Sequence, residues 1–464
     1  ALYMELKYEF KNVWKTIEES EHKMLMDYGD RYMNFMDKSK TERECANEII
    51  RLAKENGYIN YEDVLKEGKI ESGMKIYLNN KNKSVAMMVV GKEKLEKGMK
   101  IVGAHIDAPR LDLKQFPLYE DGNMALLKTH YYGGVKKYQW TCIPLSIHGV
   151  IFTKEGKQVD ISIGEDEKDP VLYINDLLIH LSADQMQKKL SEGITGEQLN
   201  VVIGHKPSRE KDLKDPIKEN ILKLLNEKYG ITEEDFMIAE LEIVPAEKAR
   251  HVGLDKSMIS AHGHDDRVCS YAALEAILGI ESPEKTAVAL FVDKEEIGSV
   301  GNTSMSSKFF ENMVAELIAL EGEYSDLKVR RALANSEVLS ADVTAGFDPT
   351  FPEVLDKRNA AMLGNGVVLT KYTGSRGKGG CNDANAEFLA KIRKTFDENN
   401  IVWQIGELGK VDQGGGGTIA FILAEYGAEV VDCGVPMLSM HAPVELVSKA
   451  DIYMTFKAYK AFLK

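Results

Sequence analysis

A buried apolar run that ends in acidic residues is the feature that most constrains the fold. Residues Ala287–Val292 are all apolar or small, and Asp293, Glu295 and Glu296 follow directly. Such a run predicts a strand buried on both faces, as in a parallel sheet covered by helices. The acidic residues then fall at the carboxyl end of the strand, where open α/β sheets place their sites. Since two adjacent glutamates repel each other, burying both requires a nearby cation.

An exposed loop would explain one acidic pair, but four other segments have the same form. Each is an apolar or small-residue run that leads to a candidate metal ligand, and the residues concerned are His105, Asp265 or Asp266, Asp342 and His441. Together with the glutamates they suffice for two cations that share a bridging carboxylate, plus one general base. Imidazole and carboxylate donors without thiolate favour catalytic zinc, manganese or cobalt over a cysteine-bound structural zinc.

Two of these segments contain a second polar residue with a separate role. In an extended segment His105 and Asp107 face the same way, so Asp107 can accept a hydrogen bond from the imidazole and fix its tautomer. Asp265 and Asp266 precede a predicted helix, where either carboxylate could serve as the N-terminal cap. Asp266 fits the cap better, which leaves Asp265 to face the metal, but the residues alone do not decide between them.

Composition and charge exclude several classes of protein. The chain has 464 residues, enough for more than one domain, and a net charge of −14, which argues against nucleic acid as a partner. Its five cysteines are scattered and never form a C-x-x-C pair, which favours reduced thiols in a cytosolic protein. The N-terminus shows no signal peptide, and no apolar run is long enough to span a bilayer. We therefore expect a cytoplasmic protein with no membrane partner.

The pattern of predicted elements indicates a discontinuous catalytic domain with an insertion. From residue 257 onward strands alternate with helical segments, which predicts a mostly parallel sheet with helices on both faces. Between about 118 and 249 the sequence pattern changes. Residues 142–153 and 157–163 alternate between apolar and polar, as antiparallel strands do, and the pattern of 169–174 predicts another strand. We therefore predict an α/β fold with a three-layer catalytic domain over 1–117 and 250–464, and an inserted β-rich oligomerisation domain over 118–249.

The motifs together resemble those of the aspartyl aminopeptidase family, and the bacterial branch in particular. These enzymes are dinuclear zinc metallo-aminopeptidases, and the resemblance runs in order from about residue 80 to the end. The segments that carry it are His105–Asp112, Asp265–Arg267, Glu295–Gly298, Ser340–Thr344, Thr373–Lys378 and Met440–Pro443.

The resemblance implies a role for each candidate residue. His105, Glu296, Asp342 and His441 would complete the shells of two metal ions per subunit, zinc first with manganese or cobalt as alternatives, and Asp265 would bridge the ions. Glu295 would be the general base, and Asp107 would orient His105. The expected reaction is removal of single residues, acidic ones included, from the free N-terminus of peptides.

The resemblance also implies an assembly, a tetrahedral dodecamer built from dimers. In the family a histidine matching His180 reaches the active site of a neighbouring subunit, so His180 is a candidate metal or substrate contact across subunits. As a bare histidine in an apolar stretch, it would more often be a core histidine with one satisfied nitrogen.

A glycine-rich loop after residue 373 supplies two candidate substrate contacts. Arg376 and Lys378 lie in this loop and could pair with an acidic substrate side chain, although exposed cations are commonly only solvated. The loop lacks the G-x-x-x-x-G-K-[ST] spacing, so nucleotide binding is rejected. Two alternative functions remain: a metal-dependent amidohydrolase of N-acyl amino acids and a non-catalytic scaffold.

Overall fold

A computed structural model describes residues 5–464 and divides the chain into two compact units. The first unit contains the described residues through Asp107 together with Ala249–Met440 and Glu445–Lys464; the second contains Ala108–Lys248 and His441–Val444. Residues 1–4, the start of the segment in which no signal peptide is expected, lie outside the described residues. The domain boundaries drawn from sequence and the roles given to the two domains stay predictions.

The helices described over residues 5–464 belong mostly to the first unit. They are α1 (Val13–Thr16), α2 (Glu19–Asp37), α3 (Glu42–Glu55), α4 (Tyr61–Glu67), α5 (Leu190–Gly193), α6 (Pro216–Tyr229), α7 (His264–Leu278), α8 (Phe309–Glu321), α9 (Asp326–Ala334), α10 (Ala386–Glu398), α11 (Ala420–Ala424) and α12 (Lys449–Leu463). Among residues 5–464, no helix combines the length and the apolarity needed to cross a bilayer.

The strands alternate with these helices in the first unit and follow one another closely in the second. They are β1 (Ile59–Asn60), β2 (Lys75–Asn80), β3 (Ser84–Val89), β4 (Met99–His105), β5 (Arg110–Asp121), β6 (Met124–Tyr132), β7 (Leu145–Phe152), β8 (Gln158–Ile163), β9 (Val201–Gly204), β10 (Glu240–Pro245), β11 (Arg250–Val252), β12 (Met258–Ala261), β13 (Thr286–Val292), β14 (Glu337–Ser340), β15 (Thr344–Ala345), β16 (Val367–Thr370), β17 (Trp403–Ile405), β18 (Glu429–Gly434), β19 (Pro436–Leu438) and β20 (Glu445–Ser448).

A nine-stranded sheet is the centre of the first unit, in the order β1-β2-β3-β13-β4-β14-β18-β16-β17. Its central strands β13, β4, β14 and β18 are mutually parallel, while β3 and β16 pair with them antiparallel. A smaller five-stranded sheet in the same unit has the order β11-β12-β20-β19-β15. Because the central strands are parallel, their carboxyl ends lie at one edge of the sheet.

Helices cover both faces of the nine-stranded sheet, as the apolar run of β13 predicts. The side chains at 287, 289 and 291 belong to an apolar cluster with α2, α3, α7 and α12, while those at 288, 290 and 292 belong to another with α4, α8, α9 and α11. Successive side chains of a strand point to opposite faces, so a strand between two helical layers must be apolar throughout. This arrangement confirms the predicted three-layer α/β fold class.

The second unit is β-rich and has a core of its own. Its six strands form an antiparallel sheet in the order β8-β7-β10-β5-β6-β9, with Trp140 fully buried among the core side chains. The alternating segments over 142–153 and 157–163 form β7 and β8, as predicted. The strand predicted over 169–174 is wrong, because Leu172 and Tyr173 make only isolated bridges.

Candidate metal centre

Three parallel strands and one helix start bring five predicted site residues together. His105 is the last residue of β4, Asp342 follows β14, and Glu295 and Glu296 follow β13 in a short 3-10 turn. Strands β13 and β14 pair with β4 on its two sides, so their ends lie next to each other. Asp265 enters from the first turn of α7, which follows β12.

The imidazole of His105 lies at the centre of a ring of carboxylates. Its Nε2 lies 3.1 Å from Asp265 Oδ1, 3.3 Å from Glu295 Oε2, 3.5 Å from Asp342 Oδ1 and 3.6 Å from Glu296 Oε1. This nitrogen is buried and makes no hydrogen bond with any residue in the described range. A buried donor set of this kind, with one imidazole nitrogen facing four carboxylates, fits divalent cations.

Asp107 joins the end of β4 to the loop after β13. Its Oδ1 lies 3.0 Å from Nδ1 of His105, and its two oxygens accept the backbone N–H groups of Glu295 at 3.3 Å and Glu296 at 3.0 Å. A carboxylate acceptor at Nδ1 places the proton on that nitrogen and turns the lone pair of Nε2 toward the carboxylates.

The first turns of α7 hold the backbone of His105 and its neighbour. The N–H of His105 donates to Asp266 Oδ2 at 3.1 Å, and the Ser270 hydroxyl donates to the carbonyl oxygen of His105 at 2.8 Å. Arg267 Nε donates to the carbonyl oxygen of Ile106 at 2.9 Å. The interpretation of Asp266 as a helix cap is wrong: its carboxylate accepts the N–H of His105 and none from α7, whose backbone is non-helical at Asp265 and Asp266. The role of Asp266 instead is to hold the strand end that carries His105.

Burial and mutual repulsion shift the protonation equilibria of the site. Burial raises the pKa of Glu295 and of Asp266 well above the usual range for a carboxyl, and it also raises the pKa of Asp342. Burial lowers the pKa of His105, but the carboxylates, first Glu295 and then Asp342, outweigh it and raise that pKa well above its usual value. All four pKa shifts reflect an excess of negative charge in a poorly solvated site. Bound cations would neutralise this charge.

Two further predicted residues lie in the second unit. His441 has Nδ1 2.9 Å from the carbonyl oxygen of Gly134, a contact that leaves Nε2 as the nitrogen with the lone pair. His180 lies in the exposed 3-10 turn Ile179–Leu181, and its interpretation as a core histidine is wrong. The predicted roles of these two histidines, as a metal ligand and as a contact across subunits, stay predictions.

The glycine-rich loop holds its own lysine in place. Lys378 Nζ lies 3.2 Å from Asp383 Oδ2 and 3.9 Å from the centre of the Tyr372 ring, while Arg376 is exposed. Lys371 Nζ also contacts Asp383, at 2.6 Å from Oδ1. The Asp383 carboxylate is therefore already bound by two cations, Lys378 in the loop and Lys371 just before it.

The sequence did not reveal the residues that support the ligand-bearing segments through hydrogen bonds. Ser270 lies within an ordinary helical stretch, and Thr303 within a run of small residues, so neither has a local signal of its role. Asp293 lies in the same acidic segment as Glu295 and Glu296, but the sequence predicted no separate role for it. The Ser270 hydroxyl bonds the carbonyl oxygen of His105 and the Thr303 hydroxyl bonds Asp293, and only the folded chain brings these partners together.

An imidazole and four carboxylates at the strand ends of an α/β sheet are typical of metal-dependent hydrolases. The sequence matches the family described as aminopeptidase I zinc metalloprotease (M18) over residues 35–463. A probable M18 family aminopeptidase 1 from Clostridium acetobutylicum is 55% identical over 456 residues, which are 98% of each chain. The chain therefore belongs to the M18 family, and it is a metallo-aminopeptidase, as the motifs predicted.

Solved structures agree with this assignment. The crystal structure of an M18 family aminopeptidase from Thermotoga maritima matches with a TM-score of 0.94 at 46% identity, over 99% of this chain and 100% of that one. That of aminopeptidase I from C. acetobutylicum matches with a TM-score of 0.93 at 50% identity, over 99% and 100%. The mApe1 dodecamer from S. cerevisiae shares the fold, with a TM-score of 0.76 at 20% identity over 96% and 97%.

Proposed function

We propose that this aminopeptidase binds two divalent metal ions per subunit and removes single residues, acidic ones included, from the free N-terminus of peptides. The observation that carries the proposal is the buried Nε2 of His105, which makes no hydrogen bond among residues 5–464 and faces four carboxylates. One buried imidazole cannot balance four carboxylates, whereas two divalent cations can.

The proposed ligands are residues of the first unit whose donor atoms converge, together with His441 of the second unit, which is carried over from the sequence prediction. His105, Glu296, Asp342 and His441 would complete two metal shells, with Asp265 between them; zinc comes first, and manganese or cobalt are alternatives. Asp265 is preferred to Asp266 as the bridge because Asp265 Oδ1 lies 3.1 Å from His105 Nε2, whereas Asp266 Oδ2 accepts a backbone N–H. When bound, such cations act as Lewis acids and lower the pKa of water.

Glu295 is the proposed general base. Its side chain is 13% exposed, against 4% for Asp265, 5% for Glu296 and 9% for Asp342, so it is the member of the ring that solvent reaches best. Glu295 would take a proton from the attacking water at its carboxylate and give it to the leaving amine. Asp107 would hold the imidazole of His105 in one tautomer throughout.

The proposed preference for acidic residues rests on the glycine-rich loop. Lys378 and Lys371 both contact the Asp383 carboxylate, which an acidic substrate side chain could replace. Arg376, exposed in the same loop, is a second candidate contact. An aminopeptidase that uses these cations would cleave N-terminal Asp and Glu faster than the amide counterparts.

The proposed assembly is a tetrahedral dodecamer built from dimers, in the cytoplasm. Its support is an exposed apolar surface in the second unit, and single domains seldom expose so many large apolar side chains together unless they form an interface. The residues of this apolar surface are Leu177, Leu178, Ile179, Leu181, Met186 and Leu190. His180 lies within the same surface, which is consistent with a contact to a neighbouring subunit's site. The S. cerevisiae relative with this fold is a dodecamer.

A peptide library tests the proposed function. Each peptide would be present with a free and with an acetylated N-terminus, and the metal-depleted protein would be compared with protein restored with zinc, manganese or cobalt by mass spectrometry. We expect metal-dependent loss of one residue from free termini only, and the lost residues report the preference. Cleavage of acetylated peptides would instead indicate an amidohydrolase of N-acyl amino acids, and no cleavage with metal bound would indicate a scaffold.

A further inference from the structure

The loop that carries Glu295 and Glu296 is closed at its base by a reciprocal pair of hydrogen bonds. The backbone N–H of Asp293 donates to the carbonyl oxygen of Thr303 at 3.1 Å, and the Thr303 hydroxyl donates to Asp293 Oδ2 at 2.8 Å. Asp293 is fully buried and Thr303 is 3% exposed. Hydrogen bonds to a buried carboxylate are among the strongest that a loop can make, so the two ends of this loop are firmly joined.

The same carboxylate fixes the residue that precedes Glu295. Asp293 Oδ1 accepts the backbone N–H of Lys294 at 2.8 Å, and Lys294 has a φ of 67°, in the left-handed region that side chains other than glycine rarely adopt. The carbonyl oxygen of Lys294 accepts the N–H of Ser299 at 2.8 Å, which closes the turn that contains Glu295. Contacts therefore run from the Thr303 hydroxyl through Asp293 and Lys294 to the start of this turn.

A metal ligand and a general base differ in how they can be held in place. A ligand such as Glu296 is held by its own ion once the ion is bound. A base that remains unligated has only the protein to hold it, and small displacements of a reacting group are costly. The closure of the loop should therefore matter more to Glu295 than to Glu296.

We propose that Thr303 is a positioning residue for Glu295, acting through Asp293. The inference rests on the proposed function, because it takes Glu295 to be the base. Among the described residues Thr303 makes its side-chain hydrogen bond to Asp293 and not to a proposed metal ligand, so its effect is on the conformation of the turn. The hydroxyl of Thr303 is the part that matters, since its methyl group makes none of these bonds.

The test compares Thr303→Val, which keeps the shape and loses the hydroxyl, with Thr303→Ser, which keeps the hydroxyl. For a peptide with a free N-terminus, Thr303→Val should lower kcat by about 10- to 100-fold, since misplacing a reacting group by ~1 Å costs about that much. KM and metal content should stay near wild type, and Thr303→Ser should recover most of kcat. Thr455→Val is the matched control, because Thr455 is equally buried but donates to the carbonyl oxygen of Asp451.

A double-mutant cycle separates positioning from general damage. In a Glu295→Gln background, Thr303→Val should cause little further loss of kcat, because the group that it positions is already gone. An equal loss in both backgrounds, or loss of metal from Thr303→Val, would overturn the inference. If Thr303→Val does not fold, Thr303→Ala replaces it, because alanine places no methyl group against the Asp293 carboxylate. The same losses of kcat are then compared in the wild-type and Glu295→Gln backgrounds.

The failure of this inference is distinguishable from failure of the proposed function. An active Glu295→Gln enzyme would overturn the assignment of the base, and the positioning role of Thr303 with it. An inactive Glu295→Gln enzyme beside a fully active Thr303→Val enzyme would overturn the positioning role alone.

Discussion

The carboxylate of Asp107 lies 3.0 Å from Nδ1 of His105, on the opposite side of the ring from the nitrogen that faces the carboxylates. The same carboxylate accepts the backbone N–H groups of Glu295 and Glu296. One buried side chain thus sets the tautomer of the His105 imidazole and holds the backbone of the two glutamates. Its loss should disturb the metal and the proposed base together.

Asp107→Asn should weaken metal binding by about 10- to 100-fold, the usual effect of losing the carboxylate behind a metal-ligating histidine. An amide has only one acceptor oxygen, so it cannot hold the His105 ring and both backbone N–H groups. Metal affinity would be measured by competition with a chelator. Asp255→Asn, a change at an exposed aspartate, is the control; equal affinities for Asp107→Asn and wild type would refute the role of Asp107.

The adjacent glutamates allow a matched comparison of ligand and base. Glu295→Gln should keep the metal content of the wild type and lower kcat by about 100-fold or more, the usual contribution of a general base. Glu296→Gln should lose metal, because a neutral amide is a poorer ligand than a carboxylate. Metal content would be measured by elemental mass spectrometry beside peptide turnover. The reverse pattern would exchange the two assignments.

The two neighbouring aspartates at the start of α7 are separated by the same measurement. Asp265→Asn should reduce the metal content below two ions per subunit. Asp266→Asn should change it far less, because an amide oxygen can still accept the N–H of His105. If Asp266→Asn loses metal and Asp265→Asn does not, the bridging ligand is Asp266.

The buried strands, and the polar residues at their carboxyl ends, could be predicted because both follow from local patterns. An apolar run such as Ala287–Val292 has few alternatives to a buried strand, and parallel strands bring their carboxyl ends to one edge. The strand predicted over 169–174 fails because its pairing depends on neighbours that the segment does not encode. There Leu172 and Tyr173 bridge to two different strands, one residue each.

The hydrogen bonds that hold the backbone of His105 could not be predicted, because the residues they join are distant in the chain. Asp266 accepts the N–H of His105 across 161 positions, and Ser270 reaches the same residue across 165. Asp266 had a plausible local role as a helix cap, but its carboxylate binds the strand end that carries His105 instead. Long-range contacts of this kind become visible only when the strand ends are brought together.

A buried carboxyl that is not among the proposed metal ligands predicts a pH dependence of stability. Asp451, in the first turn of α12, accepts the backbone N–H groups of Gly364 and Gly366, and burial raises its pKa to about 8 from 3.8. A folded-state pKa above the unfolded value means that the group stabilises the fold below pH 4, and that this contribution is lost as the pH rises to about 8. The slope for one proton is about 1.4 kcal/mol per pH unit.

Asp451→Asn should remove that slope. The difference in the free energy of unfolding between wild type and variant would be measured by urea denaturation at several values between pH 5 and 8. We expect the variant to become more stable relative to the wild type as the pH rises. A difference that is constant over this range would mean that Asp451 is ionised in the folded protein.

The exposed apolar surface of the second unit predicts where the assembly can be broken. Replacing Ile179 and Leu181 with glutamate places two charges among apolar side chains that would be buried between subunits, and burying an unpaired charge costs several kcal/mol. The double variant should form a smaller particle than the wild type by light scattering after gel filtration. Leu254→Glu, a change at a fully exposed leucine of the first unit, should leave the mass unchanged. A double variant with the mass of the wild type at low protein concentration would show that subunits assemble through another surface.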